Sequence, residues 1–189
     1  MSPTRSPSRQ AVKRAVFIDP AWLVETASAG LRPDAGPALA RLQRAGYRLV
    51  LISPPVASGA AAPRAAMPAS ALAETLSPHG VVLDASYRCP HSGQRGCPCE
   101  LPGPGLLLQA AAELALELRR SWLIGGTPEE LEAGHRAGCR TVLLDRDGDM
   151  PPPRRPEHVA ASLTEAVADI LSTPPGARGG QAAIEEWID

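Results

Sequence analysis

Five short apolar runs of six or seven residues alternate along the chain with stretches of helical spacing. Runs of that length, bounded by Gly, Pro or Asp, read as buried strands, because helices need ten residues or more. They are 13–19 (KRAVFID), 47–53 (YRLVLIS), 81–87 (VVLDASY), 121–126 (SWLIGG) and 140–145 (RTVLLD). Between them, 34–46 has helical spacing and ends in Gly46, and the stretch leading to Gly80 is weakly helical. The clearest helix is 105–120, GLLLQAAAELALELRR. The segment 127–138 opens with Thr127 as an N-cap, Pro128 at the first helical position and Glu in the first turn. A last amphipathic helix is expected over 157–172. Strands alternating with helices predict an α/β fold of three layers, a central parallel sheet covered on both faces. Ligands of such sheets bind outside the carboxyl ends of the strands, which directs attention to Asp19, Ser53, Gly125, Gly126 and Asp145.

Composition narrows the class. Aromatic residues make up 3% of the 189, so the core is built from Ala, Leu and Val. The formal charge of −1 and two short arginine pairs, Arg119–Arg120 and Arg154–Arg155, give no support for nucleic-acid binding. No apolar run approaches the ~20 residues of a membrane span. The start, MSPTRSPSRQ, lacks the apolar segment of a signal peptide. A cytoplasmic protein with reduced thiols is expected. The expected organisation is a disordered segment over 1–12, one domain over 13–172, and a Gly/Pro-rich tail over 173–189 that carries Trp187 and Ile188.

The stretch 88–105, RCPHSGQRGCPCELPGPG, holds three of the four cysteines and one of the four histidines. Cys89-x-His91 and Cys97-x-Cys99 supply three thiolates and an imidazole. Zinc takes four such ligands tetrahedrally, and a filled set leaves no position for water, so a structural Zn2+ is expected there. A polar loop with little apolar surface gains its order from the metal. Cys139, ahead of an apolar strand, reads as a buried thiol. His79, His135 and His158 lack ligand-spaced partners and read as surface residues on a loop, a helix and a helix start.

AVFID near the start, a strand ending in Ser, the CxH…CxC loop leading into PGPGLLLQAA, and SWLIGGTPEELEAGHRAGCRTVLL fall in an order that resembles the haloacid dehalogenase-like (HAD) phosphatases. Within them the chain is similar to the heptose bisphosphate and histidinol phosphatase group, over residues 13–146. The resemblance implies a Rossmann-like HAD fold without a large cap and with a zinc loop. It also implies an aspartyl-phosphate mechanism, in which a first-strand Asp attacks phosphorus and a second Asp two residues on moves the proton. A hydroxyl and a Lys hold the phosphoryl group, and Mg2+ sits between the first Asp and an acidic residue after the fourth strand.

On that pattern Asp19 stands at the nucleophile and Ser53 at the phosphate-holding hydroxyl. The proton-moving position is Ala21, followed by Trp22 where the family has Gly. The Lys position is Leu101, after Glu100, and the metal-binding Asp position is Gly126. Glu130 falls on a second acidic position that supports a Mg2+ site. The expectation is a pseudophosphatase that binds a sugar phosphate or pairs with an active relative. The alternatives are a working Mg2+-dependent phosphomonoester hydrolase acting through Asp19, with Glu25, Glu100 or Asp145 standing in for lost carboxylates, and a purely structural, zinc-stabilised interaction module.

Overall fold

The six strands among the described residues all run parallel, in the order β3-β2-β1-β4-β5-β6. They are β1 (Arg14–Ile18), β2 (Tyr47–Ser53), β3 (Ala85–Arg88), β4 (Trp122–Gly125), β5 (Arg140–Leu144) and β6 (His158–Ala160). Among the described residues five α-helices accompany them: α1 (Ala35–Arg44), α2 (Ala69–Leu76), α3 (Gly105–Leu114), α4 (Pro128–Ala137) and α5 (Leu163–Ser172). The structure, a computed structural model, describes residues 13–25, 28–53, 67–89, 97–145 and 156–174.

Side chains alternate across a strand, and β1 shows what that does here. Val16 and Ile18 face one side of the sheet, where α1, α2 and α5 pack through Leu39, Leu42, Leu72, Leu76, Val167 and Ile170. Ala15 and Phe17 face the other, against Leu106, Leu107 and Ala110 of α3 and Ala133 and Ala137 of α4. The three-layer α/β/α arrangement therefore follows from strands that are apolar on both faces. The chain adds strands outward from β1 on one side, then crosses to β4 and builds the other. The reversal falls between β1 and β4, and the crevice of a doubly wound sheet opens at such a point.

Three boundaries differ from the sequence reading. The third strand starts at Ala85 and not at residue 81. The Asp84 carboxylate accepts from the Leu49 N–H at 2.8 Å and occupies the donor that an earlier start of the ladder would use. The helix expected over 105–120 ends at Leu114, where Ala115 turns left-handed (φ 53°) and Leu116 bridges to Lys13. Residues Leu118–Arg120 then form a separate 3-10 turn. The helix expected from 157 begins at Leu163. His158–Ala160 is a sixth strand paired with Val142–Leu144. His158 thus lies on a strand, its ring 5.7 Å from that of Trp122, and is no surface helix-start residue. Residues 1–12, 54–66, His91, Arg154–Arg155 and the tail residues from 175 lie outside the described residues.

Candidate functional site

The site forms where β1, β2 and β4 end. β1 delivers Asp19, whose backbone caps a 3-10 turn, Pro20–Trp22. Its carboxylate oxygen Oδ1 accepts from the Ala21 N–H at 2.7 Å, so the nucleophile position is also an N-cap. Pro20 buries itself at the first position of that turn, which fixes the direction in which the chain leaves the strand. Ser53 ends β2 half-buried, and its carbonyl accepts from the Cys89 N–H at 3.3 Å. The end of the second strand is thereby tied to the cysteine cluster.

β4 ends in Gly125, and Gly126 is buried just beyond it. Thr127 caps α4: its hydroxyl accepts from the Glu130 N–H, and Glu130 reaches back to the Thr127 N–H at 3.0 Å. This is a capping box. The same carboxylate, 3% exposed, accepts from the Gly126 N–H at 2.8 Å and from the Trp22 indole Nε1–H at 3.2 Å to each oxygen. Three donors converge on one buried acid, so its charge is balanced by hydrogen bonds to N–H groups. A Cβ built on Gly126 would collide with Cη2 and Cζ2 of Trp22, and one on Gly125 would stand 2.9 Å from the Glu130 Cβ. Glycine is required at 126 by the approach of the ring.

These residues do not fit the magnesium ion that the family resemblance implies. A hard cation needs several oxygen donors at one point. Residue 126 offers no side chain, Trp22 fills the space beside it, and the Glu130 oxygens face N–H donors. Among the described residues, Asp19 belongs to no group of three metal-ligating side chains. Ala21 and Leu101 add no polar group. Leu101 is half-buried against the core face that holds Cys99.

The three cysteines do come together. The Sγ atoms of Cys89, Cys97 and Cys99 lie within 4.8 Å of one another, and Cys89 to Cys97 is 3.7 Å. Backbone bonds from Glu100 N–H to the Cys97 carbonyl (2.9 Å) and from Gly105 N–H to the Pro98 carbonyl (2.8 Å) fold 97–105 into a tight turn ahead of α3. The Cys99 N–H, 3.4 Å away, lowers the Cys97 thiol below its usual range. Burial, with the two neighbouring sulfurs, pushes Cys99 up to about 11. The cluster could hold a metal ion. Cys139 is 5% exposed, as its position before an apolar strand predicts. His135 bonds Thr141 Oγ1 through Nε2 at 3.1 Å, a role no local sequence spacing announces. The same is true of the Trp22–Glu130 bond, whose partners are 108 residues apart.

Comparison with known proteins follows the same lines. A family model described as HAD-hydrolase-like matches residues 99–166. A D-glycero-beta-D-manno-heptose-1,7-bisphosphate 7-phosphatase of Photorhabdus laumondii is 33% identical over 103 residues, 51% of this chain and 54% of that protein. The protein of the same name from Vibrio cholerae is 29% identical over 143 residues, 70% of this chain and 76% of that one. The chain thus spans about half the length of the first relative and about three quarters of the second. Among solved structures, a D,D-heptose 1,7-bisphosphate phosphatase from B. bronchiseptica, complexed with magnesium and phosphate, superposes with a TM-score of 0.64 at 23% identity. That match covers 85% of this chain and 98% of the other, and at such identity it speaks for the fold.

Proposed function

Because the chain belongs to the haloacid dehalogenase-like superfamily and is similar to its heptose bisphosphate phosphatases, we propose that it is a phosphatase-like protein that works by binding rather than by turnover. The observation that carries this reading is the position of Trp22. Its ring takes the place of a side chain on residue 126, and its N–H is bound to a buried acid, Glu130. The proton-moving position is Ala21, and Leu101 stands where the family has its phosphate-clamping Lys. Loss of a general acid/base alone costs about 10²–10⁴-fold. Loss of a charge-stabilising donor costs about 10²–10³-fold, and although such losses need not add, three functions are missing together. What remains, Asp19 and Ser53 at neighbouring strand ends, suits recognition of a sugar phosphate or contact with an active relative.

The cysteine cluster is read as a structural zinc site, with His91 as the fourth ligand. Two thiolates bound at about 2.3 Å to one tetrahedral zinc stand about 3.8 Å apart. The Cys89–Cys97 separation of 3.7 Å supports that reading.

The test is phosphate release from heptose bisphosphates, other sugar bisphosphates and histidinol phosphate in the presence of Mg2+, comparing wild type with Asp19→Asn. Equal, background-level rates in folded protein are expected. Turnover that disappears in Asp19→Asn would overturn the reading and make this chain an enzyme.

A further inference from the structure

We infer that Cys89 and Cys97 are a peroxide-sensitive pair that closes to a disulfide and so dismantles the metal-binding cluster. The two sulfurs are 3.7 Å apart, and none of the four cysteines is in a disulfide. An S–S bond of about 2.05 Å needs the sulfurs to move together by less than 2 Å. Cys99 is the poorer partner. A bond from Cys97 to Cys99 would close a small ring across the single residue Pro98, and Cys99 is packed with Ala85 and Leu101 against the core. Cys139, buried at 5% exposure, is out of reach of a solution oxidant.

The oxidant is hydrogen peroxide or an alkyl hydroperoxide. One thiolate attacks the peroxide, the O–O bond breaks, and a sulfenic acid and hydroxide (or alkoxide) result. The second thiolate attacks that sulfur, the S–S bond forms, and the S–O bond breaks as hydroxide leaves; the hydroxides take up the protons that the two thiols released. In sum, two thiols and one hydrogen peroxide give one disulfide and two waters. A metal ion on the cluster loses two of its thiolates in the process. The consequence reaches the crevice, because the Cys89 N–H is bound to Ser53 and the Cys97 carbonyl to the Glu100 N–H, beside Leu101.

The sulfur geometry carries this inference. Only the release of zinc rests on the zinc reading above. The experiment treats the full chain, metal-loaded and metal-stripped, with one equivalent of hydrogen peroxide and reads intact mass, peptide map and chelator-detected zinc. Expected are a mass loss of about 2 Da, a disulfide mapped to Cys89–Cys97, reversal by dithiothreitol, and one zinc released per disulfide. Cys99→Ser retains the mass loss and Cys97→Ser abolishes it. If Cys97→Ser does not fold, persistence in Cys99→Ser together with the map decides. A disulfide that joins Cys99, a cross-link between chains, or oxygen adducts without a disulfide would overturn the inference. A Cys89–Cys97 disulfide in protein that never binds zinc leaves the pair standing and removes the zinc reading. Bound zinc with no disulfide does the reverse.

Discussion

The Trp22 indole stands where a side chain on residue 126 would have to be, so the two positions constrain each other. Gly126→Asp, made alone, forces the ring out of its place and breaks its bond to Glu130. Overpacking of this kind costs about 1–3 kcal/mol, which urea unfolding resolves. Combined with Trp22→Gly, the aspartate has room. The double variant is expected to be more stable than Gly126→Asp and to gain thermal stability on addition of Mg2+, where wild type gains none. Equal melting temperatures with and without Mg2+ in the double variant would show that more than these two residues bars the cation.

Glu130 is the acceptor on which the site depends. Glu130→Ala leaves the Gly126, Thr127 and Trp22 N–H groups without it, two of them on backbone at a buried helix start. An orphaned buried donor costs about 1–3 kcal/mol and a lost cap about 0.5–2, so a total loss of about 2–4 kcal/mol is expected. Glu130→Gln, which keeps one acceptor oxygen, loses less than half of that. The order of the two variants in urea midpoints checks the assignment. Equal losses would show that charge, and not acceptor count, matters there.

Metal removal tests the cysteine cluster. One zinc per chain is expected by elemental analysis, and Cys97→Ser loses it. A strong chelator lowers the melting temperature by about 5 °C or more, since 1 kcal/mol moves a domain of this size by ~2–4 °C. A protein isolated without zinc, with no response to chelator, would leave the turn 97–105 to be held by its backbone hydrogen bonds alone.

Cys139 makes stability fall on the alkaline side. Burial, and then the nearby Glu157 charge, push its thiol up to about 12. The folded state therefore holds the proton more tightly than the unfolded chain, whose thiol ionises near 8.5. The contribution is complete below about pH 8.5 and is lost as pH rises toward 12. Cys139→Ala is expected to show a flatter decline in urea stability between pH 8.5 and 11 than wild type. In the native protein iodoacetamide at pH 9 leaves Cys139 unmodified. Rapid labelling without unfolding would contradict this burial.

Much of the fold is legible in local chemistry. β1, β2, β4 and β5 fall within a residue or two of their apolar runs, because strands covered on both faces are mostly apolar, with their arginines at or near the strand starts. Thr127-Pro128-x-Glu130 announces the start of α4, and its capping box is present. The same spacing, Ser162-x-x-Glu165, marks the true start of α5, since Ser162 accepts from the Glu165 N–H at 3.1 Å. It could have separated β6 from the helix. Nothing local ends α3 at Leu114: Ala115 takes a left-handed conformation with no glycine to signal it, and the Leu116 bridge to Lys13 accompanies the turn.

The sequence by itself determined the alternating α/β order, the two-faced apolar strands, the convergent cysteine spacing and the identity of the substituted catalytic positions. These are properties of periodicity and residue type within short windows. Only the tertiary structure decided that β1 and β4 are neighbours at the reversal of strand order, and with it that Trp22 meets Gly126 and Glu130 from 108 residues away. It also decided that Asp34 caps α5 by accepting from the Leu163 N–H, 129 residues on. Such contacts depend on which strand ends are brought side by side, and packing of the whole sheet, not any local preference, brings them there.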